Sequence, residues 1–158
     1  MAETSGNAAS YFVDRHRSGG ANARAAFVEA GPAGRTLTYE DLALQSDRMA
    51  ALYERHGLRP EDRAVMLVLD QIEFPVIFWG SLKAGVIPIP INTLLSADAY
   101  KAILMDCRAR ALFVSGQLFP SIEPVLGGNP YLKAIFVIAA ADARNGSAPP
   151  GPGARLPQ

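Results

Sequence analysis

Apolar and polar positions alternate with two different periods along this chain, and each change of period marks an element boundary. Asn7 is placed to cap a helix running to about Arg17, with Tyr11, Phe12 and Val13 as its apolar surface and Gly19-Gly20 as its end. Ala25–Glu29 and Arg35–Thr38 read as short strands around Gly31-Pro32-Ala33-Gly34, a hairpin signal. Thr38 then opens a helix, with Asp41 three residues on in the manner of a capping box. Tyr39, Leu42, Ala43, Met49, Ala50 and Tyr53 form its apolar stripe, and Gly57 ends it. Arg59-Pro60-Glu61-Asp62 makes a turn.

From Ala64 the pattern changes. Ala64–Leu69 is a nearly continuous apolar run, as expected for a strand covered on both faces. A helix follows from Asp70 or Gln71, carrying Phe74, Val76, Ile77, Phe78, Trp79 and Leu82, with Pro75 tolerated in its first turn. The spacing of Asp70 and Glu73 suits a helix cap and its partner better than an acid/base pair. Lys83 and Gly85 mark the helix end, a cation near the negative pole of the dipole and a residue that accepts left-handed dihedrals. In the next strand, Val86–Ile91, Ile87, Ile89 and Ile91 share a face. Pro88 and Pro90 both lack an N–H toward the same neighbour, which places this strand at a sheet edge or its frayed end. The strand–helix–strand unit should cross over right-handedly.

Ser96 caps a helix over about Ala97–Arg108. Ala111–Ser115 reads as a strand, Phe119–Leu126 as a short helix and Lys133–Ala139 as a further strand. Alternating strands and helices predict an α/β fold: a mainly parallel sheet with helices on both faces. Residues 141–158 show no apolar periodicity and contain Pro149-Pro150-Gly151-Pro152-Gly153, so they read as a disordered tail or a loop cut from its continuation. No internal repeat is visible.

Composition narrows the picture. Among 158 residues, 49% are apolar and 19% charged, which suits one domain with a proper core and argues against global disorder. Fifteen basic residues balance fifteen acidic ones, so no net charge draws the chain to nucleic acid or anionic lipid. The single Cys107 can close no internal disulfide, which fits a reducing, cytoplasmic setting, and its helical surroundings suggest a buried hydrophobe. The N-terminus lacks the basic and apolar regions of a signal peptide. Phe74–Ile91 approaches a membrane span in length, but Lys83, Gly85 and three prolines interrupt it, so a buried helix and strand are expected.

Candidate chemistry is sparse. His16 and His56 have no Cys or His at metal-ligand spacing and read as solvated or capping histidines. Arg15, His16 and Arg17 read as a solvated helix face. Gly19-Gly20 and Gly127-Gly128 are followed by Ala21-Asn22 and Asn129-Pro130, not by a lysine opening a helix, and so are turn residues. No serine-hydrolase elbow occurs. Asn145-Gly146-Ser147 is a formal glycosylation sequon in a chain with no secretion signal.

Two stretches carry a resemblance. Leu82-Lys83-Ala84-Gly85-Val86-Ile87-Pro88-Ile89-Pro90-Ile91-Asn92 resembles the helix–turn–strand signature of adenylate-forming enzymes. Leu37-Thr38-Tyr39-Glu40-Asp41-Leu42 resembles the first core motif of the same superfamily, in the family's order and spacing. Gly57–Val65 looks like the family's turn into its first parallel strand. The openings Asn7–Asp14 and Asn92–Leu95, with Tyr100, are more similar to benzoate- and 4-hydroxybenzoate-CoA ligases than to the fatty-acid branch. The resemblance covers roughly residues 7–139.

It implies an incomplete N-terminal part of the acetyl-CoA synthetase-like fold: 1–140 as a partial AMP-binding (adenylation) domain and 141–158 as a disordered or truncated tail. The family activity it implies is an acid–thiol ligase. A carboxylate attacks the α-phosphate of Mg-ATP to give an acyl-adenylate and pyrophosphate, and coenzyme A then displaces AMP. The family meets the electrostatic demand with a Ser/Thr/Gly-rich phosphate loop ending in lysine and a late catalytic lysine. Neither is found in this sequence, so no catalytic, cofactor-binding or metal residue is assigned. The expectation is a fragment inactive alone, with an aromatic acid, ATP, Mg2+ and coenzyme A belonging to the complete enzyme. Its exposed apolar surface would favour self-association, and it has no nucleic-acid or membrane partner. The rival readings are a non-catalytic α/β interaction module or one part of a split ligase.

Overall fold

The computed structural model describes residues 6–18, 20–31 and 34–139, and the backbone of Gly153–Arg155. These fall into two compact units, Met1–Glu61 with Asp70–Pro88, and Asp62–Leu69 with Ile89–Gln158.

The first unit is built on two helices and a hairpin. Strands β1 (Ala25–Val28) and β2 (Thr36–Thr38) pair antiparallel, with Phe27 opposite Leu37. Helix α2 (Tyr39–Arg55) opens with the expected capping box: Thr38 Oγ1 accepts the Asp41 N–H, and the Asp41 carboxylate accepts the Thr38 N–H. Helix α3 (Glu73–Lys83) packs against it. A Cβ at Gly80 would lie 2.5 Å from Met49 Cβ, so glycine is what allows α2 and α3 to approach so closely. Val13, Leu37, Leu42, Ala43 and Val76 form the apolar cluster of this unit, with Trp79 and Met49 beside it.

The helix expected over Asn7–Arg17 is in fact α1 (Ala8–Phe12) followed by a 3-10 turn, Asp14–His16. Asn7 caps it as expected, accepting the Ala9 N–H at 2.9 Å. The break falls at Val13, whose φ of −117° departs from helical geometry while its side chain is drawn into the apolar cluster.

The five-stranded sheet has the order β4 (Ile87–Pro90), β3 (Arg63–Leu67), β5 (Ala111–Ser115), β6 (Ala134–Ile138) and β7 (Gly153–Arg155). Pairs β3–β5 and β5–β6 are parallel, in a register that aligns Val65, Leu112 and Ile135. Alternate residues therefore reach opposite faces. Val65, Leu67, Leu112, Val114 and Ile135 join Tyr100 and Leu104 of helix α4 (Ala97–Asp106) in one core. On the other face Phe113 and Phe136 stack at 4.6 Å, both fully buried. Burial of both faces is what the unbroken apolar runs require. As its prolines require, β4 is an edge strand, and Ile91 donates its N–H to the Met66 carbonyl on the β3 side.

Several other element ends differ from expectation. The segment Phe119–Leu126 splits into helix α5 (Phe119–Ile122) and a 3-10 turn (Glu123–Val125), because Pro124 has no N–H to continue the helix. Helix α4 stops at Asp106, and Arg108 takes a left-handed φ of 50° to turn the chain. Helix α3 begins at Glu73, with Ile72 at its cap position and no side-chain cap bond. The Asp70–Glu73 capping pair is therefore corrected: Glu73 is bonded elsewhere. The disordered or truncated tail expected over 141–158 lies outside the described residues, save for Gly153–Arg155, whose backbone pairs antiparallel with β6.

Candidate functional site

The most elaborate local geometry lies where α3 turns into β4. The Val86 N–H donates to Ser81 C=O at 2.9 Å and the Gly85 N–H to Leu82 C=O at 3.1 Å, the paired bonds of a Schellman cap. Gly85 sits at φ 73°, and a Cβ there would come within 3.2 Å of Pro60. Its carbonyl accepts the Glu61 N–H at 2.8 Å, tying the turn to the Arg59–Asp62 segment.

Lys83 does more than face a helix dipole. Its side chain is only 9% exposed, and Nζ donates to Asp14 Oδ1 (2.6 Å), Asp47 Oδ1 (2.7 Å) and the Ala43 carbonyl (3.2 Å). Arg17 closes the same knot by donating to Asp14, Asp47 and the Ala43 carbonyl. Burial alone would raise the Asp47 carboxyl, but bonds from Lys83 and Arg17 outweigh it and hold the group below its ordinary value. Arg17 is thus exposed, as expected, and also a tether.

A second knot joins the hairpin to the start of α3. Arg35 donates to Glu29 (2.5 Å) and to both Glu73 oxygens (2.8 and 2.9 Å), and Glu29 Oε1 also accepts the Ile72 N–H at 2.8 Å. Glu29 therefore does for the first turn of α3 what a local cap would do. Hydrogen bonding to Arg35, helped by the Ile72 N–H, holds the Glu29 carboxyl at about 2 against the opposing effect of burial. The bonds to Glu29 and Glu73 raise Arg35 above its already high ordinary value.

The second unit presents the carboxyl ends of its parallel strands. Strand order reverses direction between β3 and β5, the position at which open α/β sheets generally receive ligands. There Ser115 Oγ accepts the Leu69 N–H at 3.0 Å, and the Gly116 N–H donates to Ile138 C=O at 2.8 Å, so the three strand ends are stitched together.

Among the described residues no three His, Cys, Asp or Glu side chains gather as metal donors. Asp14, Asp47, Glu29 and Glu73 are bonded to Lys83, Arg17 and Arg35. That donor set does not fit Mg2+ with ATP, and no catalytic step runs through it. The His16 ring packs 4.4 Å from that of Tyr39, and His56 is the C-cap of α2. Cys107 is half-buried at the C-cap of α4 rather than within the helix, and burial pushes its thiol up, away from nucleophilic use. Asn145–Ser147 lies outside the described residues. No helix among the described residues is long and apolar enough to cross a membrane.

The model of the AMP-binding enzyme family matches residues 14–155. The chain is 40% identical to the benzoate–CoA ligase of Thauera aromatica over 136 residues, 85% of this chain and 25% of that enzyme. It is 35% identical over 137 residues to the 4-hydroxybenzoate–CoA/benzoate–CoA ligase of Rhodopseudomonas palustris, covering 87% and 25% respectively. A crystal structure of an anthranilate CoA ligase in complex with anthranoyl-AMP superposes with a TM-score of 0.74 at 32% identity, over 85% of this chain and 25% of that one. The chain thus spans about a quarter of the length of these relatives. Its parallel sheet, its Schellman-capped turn and the family match over most of its length lead to one statement: the chain belongs to the AMP-binding enzymes, the adenylate-forming acyl-CoA ligases.

Proposed function

We propose that this chain is the N-terminal, scaffold-forming part of an ATP-dependent aryl-CoA ligase, and that alone it is inactive. The observation that carries the reading is its similarity to two benzoate–CoA ligases across more than four-fifths of its length. In the complete enzyme an aromatic carboxylate and ATP give an acyl-adenylate and pyrophosphate, and coenzyme A then releases AMP to leave the thioester. Mg2+ accompanies the ATP, and the reaction is cytoplasmic.

The described residues supply architecture to that reaction. The capping box, the Schellman turn and the two charged knots hold helices and strands, with their charges already matched. This saturation supports the reading of inactivity: a phosphate approaching Lys83 or Arg35 would have to displace carboxylates bonded at 2.5–2.9 Å.

Reading the DNA beyond codon 158 tests the proposal. The expected result is a frame, in or just out of phase, encoding a Ser/Thr/Gly-rich loop ending in lysine. A chain extended through that frame should catalyse benzoate-dependent exchange of pyrophosphate into ATP. An extended chain that accepts no aromatic acid would overturn the aryl assignment.

A further inference from the structure

The knot around Lys83 joins three separate elements. Asp14 and Arg17 belong to the N-terminal segment, Ala43 and Asp47 to α2, and Lys83 to the end of α3. Beyond the knot, Asn7 donates from Nδ2 to the Leu82 carbonyl at 2.6 Å, Ala9 and Val13 are buried, and the rings of Phe12 and His16 lie 5.9 Å from Trp79 and 4.4 Å from Tyr39. Val13 closes over Leu42, Ala43 and Val76, while Tyr11 and Phe12 stay about half exposed. The segment is thus short and tied to α2 and α3 chiefly through the Lys83 and Arg17 knot and two buried side chains, whereas α2 and α3 pack on each other along their lengths. Units with few buried apolar contacts open before the rest of a fold does.

We propose that residues 7–17 form a strap that docks on and lifts from α2 and α3 as one unit, with Lys83 as its latch. Lifting the strap uncovers the apolar groove of Leu42, Ala43 and Val76 and leaves the α2–α3 pair standing. Lys83 is a positioning residue here, and this assignment is independent of the catalytic reading.

Residue-resolved amide hydrogen exchange on the full 158-residue chain tests it. In the strap, the Val13 N–H bonds Ala9 C=O at 2.9 Å and the His16 N–H bonds Val13 C=O at 3.1 Å, so both report docking. Lys83→Met keeps the apolar stem but leaves Asp14 and Asp47 to share Arg17. It should speed exchange at Val13 and His16 by about ten-fold while amides within α2 and α3 change by less than about two-fold. Asp14→Asn, which alters the strap alone, should speed the same two amides by about three-fold. Should Lys83→Met unfold the chain, Asp14→Asn decides by itself. Equal acceleration of strap and helices, or none in the strap, overturns the proposal.

Discussion

At the scale of single residues, what each charged side chain does here is decided by its partners and not by its neighbours in sequence. Glu29 is the clearest case. Its folded carboxyl sits at about 2, below an ordinary 4.5, so the ionised form is the one that folding favours. Its contribution is therefore fully present above pH 4.5 and is lost as pH falls toward about 2. Glu29→Gln should cost about 1–3 kcal/mol near neutral pH, since it leaves Arg35 and the Ile72 N–H short of an acceptor. The gap between wild-type and variant, measured by urea unfolding at several pH values, should close below pH 4.5. A gap that stays constant with pH would mean that the carboxylate charge does not act through this contact. Gly85→Ala tests the turn in the same way. A left-handed φ and the contact with Pro60 should together cost about 1–2 kcal/mol, read as a shift in the urea midpoint at unchanged slope.

At the scale of elements, local chemistry made most boundaries legible. Thr38 with Asp41, Ser96 before α4, and Gly85 after α3 each carry the physics of their helix end in the residue type itself. Pro88 and Pro90 announced an edge strand because, two residues apart, both lack an N–H on the same side, which leaves only the other side able to pair fully. What was not legible came from afar. The start of α3 is set by Glu29, more than forty positions upstream, so no window around Asp70 contains the signal. The break after α1 follows from where Val13 is buried, and the close approach of α2 to α3 at Gly80 needs both helices in place. Gly80→Ala should therefore destabilise by about 1–3 kcal/mol through overpacking against Met49, despite alanine's better helix propensity. Thermal melting would check the sign. A more stable variant would show that the helices can part without cost.

At the scale of the molecule, the family was legible and the chemistry was not. The motifs that identify an AMP-binding enzyme, Leu37–Leu42 and Leu82–Asn92, are helix starts, a helix end and an edge strand. In this chain their polar groups are spent on structural contacts. Thr38 holds Asp41, and Lys83 holds Asp14 and Asp47. A resemblance resting on such residues locates a chain within a fold without conferring its reaction. Among the described residues no three His, Cys, Asp or Glu side chains gather as metal donors.

That this chain alone is inactive is the central claim, and one assay bears on it directly. Purified 158-residue chain, with benzoate and Mg-ATP, should incorporate labelled pyrophosphate into ATP no faster than buffer alone. Benzoate-dependent exchange that rises in proportion to the concentration of this chain would contradict the account.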